Sequence, residues 1–253
     1  MLDGQYISEV ILSRPVEEGS YLGRLPVIRH LAQMGSLPIT RPVSIFVGEN
    51  GTGKSTLLEA IAVAFGFNAE GGSKNFRFAT NRSHSELHRH LTLARSKYAK
   101  DGFFLRAESF YNAASYIDQI DSEPSYQLPV IASYGGVSLH QQSHGESFLA
   151  LVQNRFGGNG LYILDEPEAA LSPARLLVLI AEIDALVKKN SQFIIATHSP
   201  MLLAFPHAQI YQLSESGIQT VSYRQTEHYQ LTKRFLNDPE RMLNLLLEDE
   251  PPE

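Results

Sequence analysis

Residues 48–55 read Gly48-Glu49-Asn50-Gly51-Thr52-Gly53-Lys54-Ser55, and no other stretch limits so sharply what the chain can fold into. The spacing G-x-x-x-x-G-K-[ST] requires a strand before it and a helix after it. Both are predicted by pattern. Val43–Val47 is a short apolar run that stops at Gly48, and Leu57, Leu58, Ile61, Ala62 and Phe65 recur at helical spacing up to Gly66. Glycines let such a backbone fold into a nest of inward-pointing N–H groups, and the following helix aims its positive end at the same point. The loop is therefore a phosphate cradle built from Asn50, Gly51, Thr52 and Gly53. Lys54 would reach the β- and γ-phosphates, Ser55 would hold Mg²⁺ through its hydroxyl, and Thr56 would reach the α-phosphate.

The rest of the chain repeats the alternation. Tyr6–Leu12, Phe103–Leu105, Leu161–Leu164 and Phe193–Ala196 read as strands, and Ser147–Phe156 and Pro173–Lys189 as helices. Ile210–Leu213 and Ile218–Tyr223 read as a hairpin, and a last helix runs from about Glu227 to Leu247, interrupted near Pro239. This is an α/β pattern, a mostly parallel sheet flanked by helices. Residues 67–100 are polar and basic, expected as part helix and part mobile loop, and a small helical lobe is expected over 111–142; together they form a variable lobe of about 67–142. The 253 residues, 43% hydrophobic and 19% charged, suit a single domain over 1–253 with a frayed acidic tail at 248–253. Absence of cysteine excludes a disulfide framework, thiolate metal sites and a cysteine nucleophile. The longest strongly apolar stretch without charge, Leu176–Ala181, is far short of the ~20 residues of a membrane span. The first residues lack the basic and apolar blocks of a secretion signal, so a soluble cytoplasmic protein without direct membrane insertion is expected.

Leu161-Tyr162-Ile163-Leu164-Asp165-Glu166 is an apolar strand ending in two carboxylates. Behind a phosphate loop, Asp165 is placed to hold Mg²⁺ and Glu166 to polarise an attacking water. Ser143-His144-Gly145-Glu146-Ser147 opens a helix before that strand, and Thr197-His198-Ser199-Pro200 follows the strand Phe193–Ala196. Phosphate loop, Ser-x-Gly-Glu, strand-Asp-Glu and strand-His, in that order over about residues 43–200, resemble the ATP-binding-cassette (ABC) ATPase superfamily. The resemblance implies the P-loop NTPase fold of that type, ATP and Mg²⁺ as cofactors, and ATP hydrolysis. It further implies that His198 contacts the γ-phosphate in its own subunit. Ser143, Gly145 and Glu146 form the signature, whose serine and glycine bind the γ-phosphate held by a second copy, giving an ATP-sandwiched homodimer.

Asp165-Glu166-Pro167-Glu168 followed by Ala170-Leu171-Ser172-Pro173 looks like the soluble branch of the family, with its chromosome-maintenance, recombination and repair ATPases and standalone bacterial ATPases. Transporter cassettes usually carry threonine after Asp-Glu-Pro and a Gly-Gly-Gln signature; a transporter's nucleotide-binding subunit is the alternative. The segment Thr56–Gln142 is too short and too irregular for the long coiled coil of chromosome-maintenance ATPases. The family's Mg²⁺-sensing glutamine is not evident after Phe103–Leu105, where Glu108 stands as a candidate substitute metal ligand, and Ser172 replaces a usual aspartate. Tyr21, Arg24 and Arg29 are candidate adenine contacts. Residues 74–106 hold eight basic residues (Lys74, Arg77, Arg82, Arg89, Arg95, Lys97, Lys100, Arg106) against Glu86 and Asp101 on a chain of net charge −6. Such a run is either a surface for DNA or RNA or a solvated face, and the solvated face is the commoner case. A partner protein is the other load considered. His84, His88 and His90 read as polar surface rather than metal ligands, and His144 as a residue of the dimer seam.

Overall fold

A computed structural model describes residues 5–74, 85–108, 110–122 and 129–247. Among the described residues, nine strands fall into two sheets. The larger comprises β3 (Val43–Gly48), β5 (Asp101–Arg106), β6 (Gly160–Asp165), β7 (Gln192–Ala196), β8 (Gln209–Ser214) and β9 (Gly217–Val221), in the order β5-β6-β7-β3-β8-β9. All neighbours are parallel except the β8–β9 hairpin. Every residue of β3, β6 and β7 is buried, as a parallel strand covered on both faces must be. The phosphate-loop strand therefore sits inside the sheet, and β6 and β7 end beside it.

The smaller sheet is antiparallel, with β1 (Ile7–Leu12) between β2 (Ser36–Pro38) and β4 (Leu91–Arg95). It differs from expectation: 91–95 is a strand, where helix and loop were predicted. Leu91-Thr92-Leu93 alternates too briefly to register, and pairing with β1 supplies what local sequence does not. Helices α1 (Tyr21–Arg24) and α2 (Pro26–Met34) were also not predicted. Val27, Ile28 and Leu31 form the buried stripe of α2, a helical period hidden in a Pro- and Gly-punctuated stretch.

The large sheet has a core on each face. On one side Phe46, Phe104, Ile163 and Ile194 pack with Leu57, Leu58 and Ile61 of α3 (Lys54–Phe65), with α2 and with β1. On the other, Ile45, Val47, Phe103, Leu164 and Ile195 pack with Phe148 and Leu151 of α5 (His144–Arg155) and Leu179 and Ile183 of α6 (Pro173–Lys188). Full burial of each such side chain stabilises by about 1.5–3 kcal/mol. The expected lobe is helical: α4 (Phe110–Ser122) is followed by short turns at Val130–Tyr134 and Leu139–Gln141. The remaining helices are α7 (Pro200–Leu203), α8 (Glu227–Asn237) and α9 (Pro239–Leu247), the last two separated at Asp238 before Pro239. The acidic tail 248–253, Arg77, Arg82 and His84 lie outside the described residues.

Two buried polar clasps hold the parts in register. Gln192 at the start of β7 accepts the N–H groups of Tyr6 and Ile7 (2.8 Å each) and donates to the carbonyl of Ile7, joining the two sheets. Asp101 accepts from Arg155 (2.7 Å), the Gly157 N–H (2.9 Å) and the Tyr162 hydroxyl (2.7 Å), tying β5 and β6 to the end of α5. Burial pulls that carboxyl upward, but the Gly157, Arg155 and Tyr162 bonds outweigh it and hold the group below its ordinary range. The helix that starts at Ser143 is thereby anchored at its far end.

Candidate functional site

Gly53 precedes α3 in the left-handed region (φ 95°), and a Cβ there would lie 2.5 Å from Val27 Cγ1. Glycine at this position lets α2 close on the loop. Lys54 is buried (4% exposed), with its ammonium donating to the carbonyls of Gly48 (2.7 Å) and Glu49 (3.0 Å). Burial lowers the pKa of the amine, while Glu166, Asp165 and Glu168 act to keep it charged. Tyr21, Leu25, Asn50, Gly51, Gly53, Lys54, Ser55, Thr56 and Glu166 line one pocket.

Ser55 Oγ donates to Asp165 Oδ1 at 2.9 Å. Arg106 closes the other side, its Nε 3.5 Å from Asp165 Oδ2 and its Nη1 2.9 Å from Glu59 on α3. Burial raises the Asp165 carboxyl to about 6, against the pull of Arg106 and Ser55. Glu166 follows in the left-handed region (φ 51°), its N–H bonded to the Ala196 carbonyl at 3.0 Å. This sparsely populated backbone turns the second carboxylate out of the strand line, where its side chain is 41% exposed. One carboxylate is buried on Ser55 and the other reaches the cleft.

His198 sits behind them. Its N–H donates to Glu168 (2.5 Å), its Nε2 lies 3.6 Å from Glu166 Oε1, and its Nδ1 lies 3.1 Å from Nε2 of His228 on α8. Burial raises the Glu168 carboxyl; burial and then Lys54 hold the His198 imidazole below its ordinary pKa, with Glu166 opposing.

The signature residues form the start of α5. Ser143 is the cap, and Glu146 accepts from both its N–H (3.1 Å) and its hydroxyl (2.6 Å). Arg175 of α6 adds bonds to Ser143 Oγ (3.3 Å) and Glu146 Oε1 (2.9 Å). A Cβ on Gly145 would meet Arg175 Nη1 at 2.6 Å and the Ala170 carbonyl at 3.0 Å, so only glycine admits that clamp. His144, expected at the seam between copies, lines a cleft of about 300 Å³ together with Ser55, Arg106, Glu108, Asp165 and Glu166. Glu108 stands at its mouth, 88% exposed and 3.6 Å from Arg106.

The three adenine candidates separate. Tyr21 lines the phosphate-loop pocket, whereas Arg24 and Arg29 line a different cleft and Arg29 pairs with Glu215 (2.8 Å). The basic stretch also divides: Arg106 turns into the site, Arg89 pairs with Glu86 (2.9 Å), and Lys74 and Arg95 lie over the Phe65 ring at 4.1 and 4.8 Å. His88 faces the Ser85 carbonyl (3.2 Å), and among the described residues no cluster of three or more His, Cys, Asp or Glu could hold a metal ion. Glu59, Arg106, Arg175 and His228 were missed in the sequence. None belongs to a motif, and each joins the site only through the packing of separate elements. No helix among the described residues is long and apolar enough to cross a membrane.

Residues 32–118 match a family model described as an AAA domain, and residues 133–204 match one described as an AAA domain, putative AbiEii toxin, Type IV TA system. The chain is 26% identical over 178 residues to a ribose import ATP-binding protein RbsA of Bacillus cereus, covering 63% of this chain and 35% of that protein. It thus spans about a third of the length of the curated relatives it matches. Among solved structures it resembles a putative metal-chelate type ABC transporter (TM-score 0.51, 14% identity, 90% of this chain and 88% of the other). It also resembles cbiO1 from Clostridium perfringens, part of the ABC transporter complex cbiONQ (TM-score 0.50, 15% identity, 96% and 99%). These structural likenesses speak for the fold alone. The two AAA-domain matches and the curated ATP-binding relatives make the chain similar to ATPases of this class.

Proposed function

We propose that the chain binds and hydrolyses ATP with Mg²⁺, and that two copies close around two nucleotides. The observation that carries this reading is the meeting of Lys54, Ser55, Asp165, Glu166 and His198 around the mouth of the phosphate loop. A hydroxyl beside a buried carboxylate is a hard-oxygen donor pair that fits Mg²⁺, which takes its other ligands from phosphate and water. When bound, the ion would neutralise charge on the phosphate oxygens.

The chain's own residues would act as follows. The loop N–H groups of 50–54 and the Lys54 ammonium bind the phosphates. Tyr21 offers an aromatic face for the base. Glu166 takes the proton of the attacking water, and His198 donates from Nε2 to the γ-phosphate. Glu108 stands across the cleft as a further oxygen ligand. Ser143 and Gly145, at the positive end of α5, suit the γ-phosphate of a second copy, with Glu146 holding the Ser143 cap.

For the load, the reading is a single-domain ATPase of the soluble, chromosome-maintenance-like branch acting in the cytoplasm on a partner protein or on nucleic acid. Glu168, where transporter cassettes carry threonine, supports this by holding the His198 backbone. The dispersal of the basic stretch favours the solvated-face reading over a continuous DNA or RNA surface. The transporter reading draws on the RbsA likeness, and copurification of a permease would favour it.

The test is phosphate release from Mg²⁺–ATP by the wild type, Lys54→Ala and Glu166→Gln, with and without DNA or RNA. Turnover that survives both substitutions would rule out this site.

A further inference from the structure

We propose that His228 is a positioning residue for His198, fixing the tautomer that presents Nε2–H toward the cleft. The inference rests on the reading of His198 as a γ-phosphate contact.

His228 lies one residue inside α8, whose start is fixed by Thr226 accepting from the Tyr229 N–H at 3.3 Å. Its Nε2 is 3.1 Å from His198 Nδ1, and the two rings are 5.3 Å apart at 45°. A neutral imidazole carries one N–H and one lone pair, so an N···N contact at this distance admits two arrangements. In one, His198 donates from Nδ1, which leaves a lone pair at Nε2 facing Glu166 Oε1 across 3.6 Å. A buried lone pair without a hydrogen-bond partner then faces a carboxylate oxygen. In the other, His228 donates from Nε2, His198 accepts at Nδ1, and Nε2–H points at the carboxylate. The Glu166 carboxylate favours the second.

Burial and then Lys54 lower the pKa of His198, with Glu166 opposing; burial, His198 and Lys54 lower that of His228, with Glu227 and Glu168 opposing. The geometry makes the pair a relay in which the second-sphere nitrogen orders the first, as a partner on the far nitrogen does for any functional histidine. An anionic phosphate at Nε2 would demand the same hydrogen. The sequence hides this arrangement, because His228 is 30 residues from His198 and belongs to no motif.

The test compares His228→Leu, which removes the donor, with His228→Gln, whose amide N–H can occupy the place of Nε2. The whole 253-residue chain is used with Mg²⁺–ATP. His228→Leu should lower kcat by about tenfold to a hundredfold, the range expected when a reacting group is mispositioned, with KM for ATP within about twofold. His228→Gln should recover most of the loss, and in a His198→Ala background His228→Leu should cost nothing more. Independently of turnover, ¹⁵N-resolved imidazole spectra should show His198 as the Nε2–H tautomer in the wild type and as a mixture in His228→Leu. Equal kcat in the wild type and His228→Leu would overturn the proposal, as would an Nδ1–H tautomer in the wild type. If His198→Ala keeps full turnover, the γ-phosphate reading of His198 is lost instead, and the spectra alone decide the pairing with His228.

Discussion

Ser55 and Asp165, 110 positions apart, are joined by a 2.9 Å hydrogen bond across the ends of β3 and β6, with Arg106 of the neighbouring strand 3.5 Å from the far carboxylate oxygen. The sheet order makes the bond: β7 lies between β3 and β6, and the loop following β3 carries Ser55 over to the end of β6. Asp165 is held where a free carboxylate is costly, since burial lifts its pKa to about 6.

The sign of that shift gives a stability prediction. A carboxyl whose folded pKa is raised lends stability that is full below the unfolded pKa near 3.8 and is lost as pH rises through about 6. In metal- and nucleotide-free protein, Asp165→Asn should therefore be more stable than the wild type above pH 6, by on the order of 1–3 kcal/mol. The gain should shrink toward pH 4. Urea unfolding at pH 5 and pH 8 in chelator measures it; a less stable variant at pH 8 would contradict the burial argument. The same variant should lose Mg²⁺-dependent turnover.

Lys54→Ala removes a buried ammonium that spans the loop. A hydrogen bond from a charged donor contributes about 1.5–3 kcal/mol, so ATP affinity should fall about tenfold to a hundredfold. Turnover should fall below detection. Titration calorimetry with ATP tests this, and unchanged affinity would remove Lys54 from phosphate binding.

Gly145→Ala puts a methyl 2.6 Å from Arg175 Nη1 and 3.0 Å from the Ala170 carbonyl. Arg175 can swing away, but the carbonyl belongs to backbone, so the clamp on Ser143 and Glu146 should open. We expect a loss of about 1–3 kcal/mol in stability, the usual cost of inserting a carbon into packed structure. Association of copies should weaken, while ATP binding by the single chain is retained. A crystal structure of the variant with Arg175 still on Ser143 would refute the clamp.

Arg89→Ala, Arg95→Ala and Lys97→Ala together probe the basic stretch. Contacts to phosphate backbone weaken steeply with salt through counterion release. With Arg106 committed to Glu59 and Asp165, and Arg89 to Glu86, no salt-dependent DNA or RNA affinity lost in the triple variant is expected. A steep salt slope in the wild type that flattens in the variant would restore nucleic acid as the load.

The motifs made half of this site readable. Gly48–Ser55, Asp165, Glu166 and His198 each lie at or just past the end of a largely apolar strand, and that local signal marks both the strand and its chemical end. Arg106, Arg175 and His228 left no such mark. Arg106 reads as one more cation in a basic run until β5 sets it beside β6, and Arg175 until α6 packs on α5. The small sheet escaped for a related reason: β2 and β4 are short, and their partner β1 is distant in sequence, so pairing decides what propensity cannot.

The central claim, that ATP closes two copies through Ser143 and Gly145, is tested most directly by sedimentation of Glu166→Gln with and without Mg²⁺–ATP. This variant should bind nucleotide without activating water, and so run as a dimer with ATP and a monomer without it. Adding Ser143→Arg should return it to monomer while ATP stays bound. Glu166→Gln that remains monomeric with saturating ATP, at protein concentrations well above micromolar, would contradict the homodimer.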